Sequence, residues 1–109
     1  MTADEFQDWS TGKTLDYFID GTLWGSETHL AGRETVDDGE GDICRPGRWS
    51  ARGDDICFSY DDGPGTFCWL FVKDGDQVFA QDADDLSAPR FSVTLSDAPV
   101  ACSGTDVGV

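Results

Sequence analysis

The chain has 109 residues, with 22 acidic against 7 basic side chains, a net charge of −15 and four cysteines. A chain of this length holds a single domain (1–109) with a modest core, because at this size roughly 60 to 70% of the unfolded surface is buried on folding. The charge disfavours nucleic-acid phosphates and anionic membrane surfaces, no apolar run reaches the ~20 residues of a membrane helix, and the absence of Asn removes N-linked glycosylation.

Thr2-Ala3-Asp4-Glu5 reads as a capping box, a Thr N-cap with Glu three residues on, and predicts a short helix over Ala3 to Ser10 with Phe6 and Trp9 on one face. Gly12 is expected to end it. Thr14 to Asp20 is rich in β-formers and stops at Gly21, and Thr22-Leu23-Trp24 resumes after a tight turn. Short candidate strands then follow at Ser26 to Leu30, Glu34 to Asp37, Arg48 to Ala51, Asp55 to Tyr60, Phe67 to Lys73, Gln77 to Gln81 and Phe91 to Ser96. Glycine-rich or Asp-rich turns separate them, and Asp82 to Pro89 reads as a longer loop. Such a pattern predicts an all-β fold, a small antiparallel up-and-down β-barrel (a lipocalin-like meander) with one short N-terminal helix. Barrel closure leaves no open sheet edges; a two-sheet sandwich is the alternative.

The stretch DDICFSYDDGPGTFCWLFV, Asp54 to Val72, carries two cysteines around an Asp-Gly-Pro-Gly turn. If its two arms pair antiparallel about Asp62-Gly63, Ile56 faces Trp69, Cys57 faces Cys68 and Phe58 faces Phe67, and opposed cysteines lie within reach of a disulfide. Pro64 cannot return a hydrogen bond to Asp61, so a four-residue loop closed by Tyr60 and Gly65 is expected. Alternation puts Ile56, Phe58, Tyr60, Phe67, Trp69 and Phe71 on one face, which must be buried, and leaves Cys57, Cys68, Leu70 and Val72 on a partly covered one. Cys44 and Cys102 are then left for a second disulfide. The spacings contain no close cysteine pair of the kind used by structural zinc sites, so the pattern points to an oxidising compartment. The polar N-terminal residues carry no signal peptide, and the chain is read as a mature form supplied with a starting Met.

Candidate chemistry is sparse. Thr11-Gly12-Lys13-Thr14 lacks the first glycine of a phosphate-binding loop, whose place is taken by Gln7. His29 is the single histidine; without a nucleophile elbow around any serine it reads as an exposed or hydrogen-bonded strand residue rather than a catalytic base. Asp74-Gly75-Asp76 and Asp82-Ala83-Asp84-Asp85 do not fit a calcium loop, so no metal site or cofactor is expected. Trp9, Trp24, Trp49 and Trp69 supply aromatic surface for a core or a ligand.

Gly12-Lys13-Thr14-Leu15, Gly25-x-Glu27, Cys44-x-Pro46-Gly47-x-Trp49, Asp55-Ile56-Cys57-Phe58-x-Tyr60 and Cys68-Trp69 together resemble a group of small exported proteins of marine and other alphaproteobacteria. The resemblance covers nearly the whole chain, including Thr105-Asp106-Val107-Gly108-Val109. It implies a periplasmic or secreted location and no established activity, so no catalytic or binding residue follows from it.

The expectation from the residues is a non-enzymatic barrel binding a small apolar or aromatic ligand through inward Tyr17, Trp24, Trp49, Phe58, Trp69 and Phe71. Filling of the interior by side chains would favour a protein-binding or inhibitor-like module using loops at Asp37 to Asp42 and Asp61 to Gly65. A small hydrolase using His29 is the third reading. Two disulfides predict that chain exported to a bacterial periplasm has a mass four hydrogens below the reduced form of its four cysteines, read by native mass spectrometry; four free thiols would contradict the oxidising compartment.

Overall fold

A computed structural model of the chain describes residues 1–38, 44–61 and 63–101. Helix α1 (Ala3–Ser10) is followed by strands β1 (Thr14–Ile19) and β2 (Thr22–His29), a 3-10 turn at Ala31–Arg33, and β3 (Glu34–Asp37). Strands β4 (Arg45–Arg52), β5 (Asp55–Tyr60), β6 (Phe67–Asp74), β7 (Gln77–Asp82) and β8 (Phe91–Ser96) complete it. Each strand pairs antiparallel with the next, and β8 returns to β1 from Thr14 opposite Ser96 to Phe18 opposite Ser92, closing the barrel. Among the described residues no helix is long and apolar enough to cross a membrane.

Local chemistry sets the connections. Thr2 accepts from Glu5 N, and the Glu5 carboxylate accepts from Thr2 N, the reciprocal capping box read from the sequence. Asp20 and Gly21, with φ of 51° and 78°, form the two-residue link between Ile19 and Thr22, as a type I′ hairpin turn requires. Gly53 and Gly75, each at φ 62°, open the two-residue links from Arg52 to Asp55 and from Asp74 to Gln77.

The β5–β6 register is the expected one: Ile56 opposite Trp69, Cys57 opposite Cys68, Phe58 opposite Phe67, with Cys57 and Cys68 joined in a disulfide. The expected closure of that hairpin at Tyr60 and Gly65 does not form. Ladder pairing with β6 stops at Phe58–Phe67, and the end of β5 pairs with β4 instead, Tyr60 lying opposite Gly47. The second expected bridge needs Cys102, which lies outside the described residues; Cys44 is buried immediately before β4. On the outer face the Gln81 amide donates to the carbonyls of Asp85 and Ala88, so the β7–β8 loop is pinned beside the Cys57–Cys68 strand pair.

Two candidate strands, 22–24 and 26–30, are one strand. The β1–β2 register slips between Tyr17 and Phe18, so Trp24 is the extra residue of a β-bulge, and the break that Gly25 suggested in the sequence is this bulge.

The barrel has unlike ends. One is stoppered by α1: the Phe6 ring is fully buried with centroids 4.5 Å from Phe71, 5.1 Å from Trp49 and 5.5 Å from His29. Arg33 holds the adjoining turn against this stopper, donating from Nε to Gln7 Oε1 and lying 4.2 Å over the Trp49 ring. Leu15, Ile56, Val78, Ala80 and Val93 extend the core between the strands. The Phe6→Ala variant should lose about 3 to 5 kcal/mol of stability, since it empties a closed aromatic nest. Chemical denaturation checks this, and a loss below about 1 kcal/mol would show that α1 does not seal the barrel.

Candidate functional site

The other end is open. It is framed by the end of β1, the start of β2, the end of β3, the start of β4, the end of β5, the start of β6, the end of β7 and the start of β8, and it leads into a cavity of about 750 Å³. That volume lies in the range of small-molecule sites. Among the described residues the barrel interior is filled from the α1 end, which leaves this space at the other.

One wall is aromatic. Phe91 sits at its centre, 4.9 Å from Trp24, 5.7 Å from Trp69 and 6.5 Å from Tyr17 by ring centroids. The bulge turns Trp24 onto the rim, where it is 64% exposed while still lining the cavity. Phe67, 53% exposed, stands on the rim against Tyr60. The expectation of a wholly buried hairpin face therefore fails for Phe67, and Tyr60 and Trp69 are only half-buried, because the end of the β5–β6 pair that carries them borders an opening rather than packed core.

The facing wall is polar, although it lies inside the barrel. Glu27, Asp37 and Arg45 occupy successive opposed positions across β2, β3 and β4. Arg45 grips Asp37 with both prongs, Nε to Oδ1 at 3.1 Å and Nη2 to Oδ2 at 2.8 Å, and its guanidinium lies 4.1 Å over the Tyr60 ring. Gly47 permits this stack: a Cβ there would stand 2.9 Å from Tyr60 Cδ1 and 2.7 Å from Ser59 O. Glu27 is 5% exposed, and its Oε1 receives the Tyr17 hydroxyl at 2.9 Å and lies 2.6 Å from His29 Nε2. An ionised Glu27 accepts from the His29 tautomer carrying its proton on Nε2.

Of the six aromatic residues expected to line a site, Tyr17, Trp24, Phe58 and Trp69 do line the cavity. Trp49 and Phe71 point inward as well but pack against Phe6 in the stoppered half. His29 is hydrogen-bonded, one of the two states expected of it, and buried, in T-shaped contacts with Phe6 and Phe58. It is absent from the cavity wall and touches it only through Glu27. Of the loops considered for a partner, Asp37 is instead an inward strand residue, residues 39–42 and 62 lie outside the described residues, and Asp61 and residues 63–65 lie at the open end.

Sequence reasoning missed Glu27, Asp37, Arg45, Tyr60 and Phe91. The Gly25-x-Glu27 and Cys44-x-Pro46-Gly47-x-Trp49 motifs held part of the signal, since Glu27 shares a strand face with His29, and Arg45 shares one with Gly47 and Trp49. Among the described residues no group of three or more His, Cys, Asp or Glu side chains is placed to hold a metal ion. Comparison of the chain with family models, with curated proteins and with solved structures finds no match.

The phenol of Tyr17 is held well above the usual tyrosine value near 10, first by burial and then by the charge and hydrogen bond of Glu27. The folded chain therefore keeps a proton that the unfolded chain releases. This stabilisation is complete below about pH 10 and is lost as pH rises through the folded value. Denaturant melts from about pH 8 to 11.5 should show a steep alkaline loss that Tyr17→Phe lessens; equal alkaline slopes in the two proteins would contradict the assignment.

Proposed function

We propose that the protein is a non-enzymatic, exported binding module, periplasmic or secreted, that takes a small ligand with an aromatic or apolar body into the open end of the barrel. One observation carries this reading: a cavity of about 750 Å³ lined by seven aromatic side chains, in a barrel whose opposite end is closed by α1. Packed cores of small barrels leave no such space, and the rings of Trp24, Phe91 and Trp69 adjoin one another along one wall. Burial of His29 away from the cavity surface supports the non-enzymatic reading over a hydrolase, since a general base must come within hydrogen-bond reach of the group it deprotonates. The second disulfide, Cys44 to Cys102, belongs to the same proposal and to the same oxidising location.

A partner protein is the second reading. It draws on exposed Trp24, Phe67 and Leu86 near the open end. Two of the three, however, line the cavity, which suits a rim that guides a small ligand inward.

Titration with an environment-sensitive aromatic dye, followed by displacement, tests the proposal. Trp24→Ala should weaken dye binding about five- to tenfold, the worth of an aromatic contact, with little change in Tm because the ring is mostly exposed. Saturable binding that ignores Trp24 would place the dye elsewhere, and no binding would sink the cavity reading.

A further inference from the structure

Resting on that binding reading, we infer that the cavity selects an organic cation, a protonated amine carrying an aromatic or apolar body. The deciding group is Glu27. Its carboxylate is nearly buried and lines the cavity, both of its hydrogen-bonding neighbours, Tyr17 and His29, meet it at Oε1, and no described residue donates to Oε2. Oε2 is open to the cavity, and an ammonium N–H that reaches it there makes a charge-assisted hydrogen bond in a largely desolvated place. Tyr17 and His29 act here as positioning residues, fixing the Glu27 rotamer so that its second oxygen is presented at a set place.

The remaining charges agree with this polarity. Arg45, the one base on the wall among the described residues, is engaged by Asp37 in a bidentate pair and stacked on Tyr60, which makes it a poor receptor for an incoming anion. Asp38 adds another carboxylate to the lining beside Gly25. The aromatic rings of Trp24, Trp69 and Phe91 in the lining offer π surface that favours a cation and exclude water that would otherwise compete for it. The net charge of −15 raises the local concentration of cations before any contact is made. A bare metal ion fits poorly, since it needs several oxygen ligands at fixed distance and the described residues gather no such set.

Three indoles of one size and different charge test the inference by calorimetry at pH 7: tryptamine, neutral 3-ethylindole and indole-3-propionate. Tryptamine should bind about tenfold or more tighter than either of the others, as a charge-assisted hydrogen bond supplies. In Glu27→Gln the ratio of tryptamine to 3-ethylindole affinity should fall about tenfold. Equal binding of the three, or preference for indole-3-propionate, overturns the cation inference and leaves the binding cavity standing. Binding of none of them overturns both. Should Glu27→Gln fail to fold, the ranking on the native protein still decides, and Asp38→Asn should lower the same ratio about two- to threefold at low salt.

Discussion

Closure of β8 onto β1 is the constraint on which the rest of this molecule depends. A closed sheet has no edge to protect, but it forces every second side chain of eight strands into one enclosed space. The protein fills that space asymmetrically. Phe6 enters from outside the sheet, on a helix, and with Trp49 and Phe71 packs one half as a conventional core. Among the described residues nothing equivalent enters from the other end, and the inward residues there form a lining.

That lining departs from what a core would choose. Glu27, His29, Thr35 and Asp37 are all buried on the inner face of β2 and β3. Most of their polar atoms are satisfied, through the Arg45 fork and through the bonds of Tyr17 and His29 to Glu27. Two of the fully buried atoms are not: His29 Nδ1 and Thr35 Oγ1, on directly opposed residues, have no hydrogen-bond partner among the described residues. Unpaired buried polar atoms reduce stability, and chains tolerate such departures from core chemistry mainly where function requires them. A third such atom, Ser10 Oγ, lies at the end of α1, and His29 packs against Phe6, so the cost falls on the stoppered side of the polar wall rather than on the cavity lining. The disulfide lies on the neighbouring wall, holding β5 and β6 in the register that carries Phe58, Phe67 and Trp69.

Where local chemistry decides an element, the sequence was legible. The capping box marked the start of α1 and Gly12 its end, the β3, β5 and β8 boundaries follow their turn residues, and the opposed cysteines betrayed the hairpin register. Reading failed where a non-local fact overrides a local rule. Gly25 looked like a break because a bulge in a long strand and a turn between two short ones share the same composition. In Glu34-Thr35-Val36-Asp37 the apolar residue suggests Val36 inside, yet Thr35 and Asp37 face inward and Val36 stays half-buried on the outer side. Binary patterning assumes an apolar interior, and this half of the barrel does not have one. Trp49 and Phe71 could not be separated from Trp24 and Trp69 by type; only the position of the α1 stopper divides core from lining.

The contact of the Met1 amino group with the Phe71 carbonyl, at 2.6 Å, ties the first residue to the stoppered end. The molecule thus has a back and a front. Chain fused ahead of Met1 leaves from the back, and a peptide N–H in place of the ammonium can still donate to Phe71 O. A surface tether or label attached there would present the open end outward, with its cavity unobstructed, which makes the N-terminus the natural handle for immobilising the protein without masking the face that meets solution.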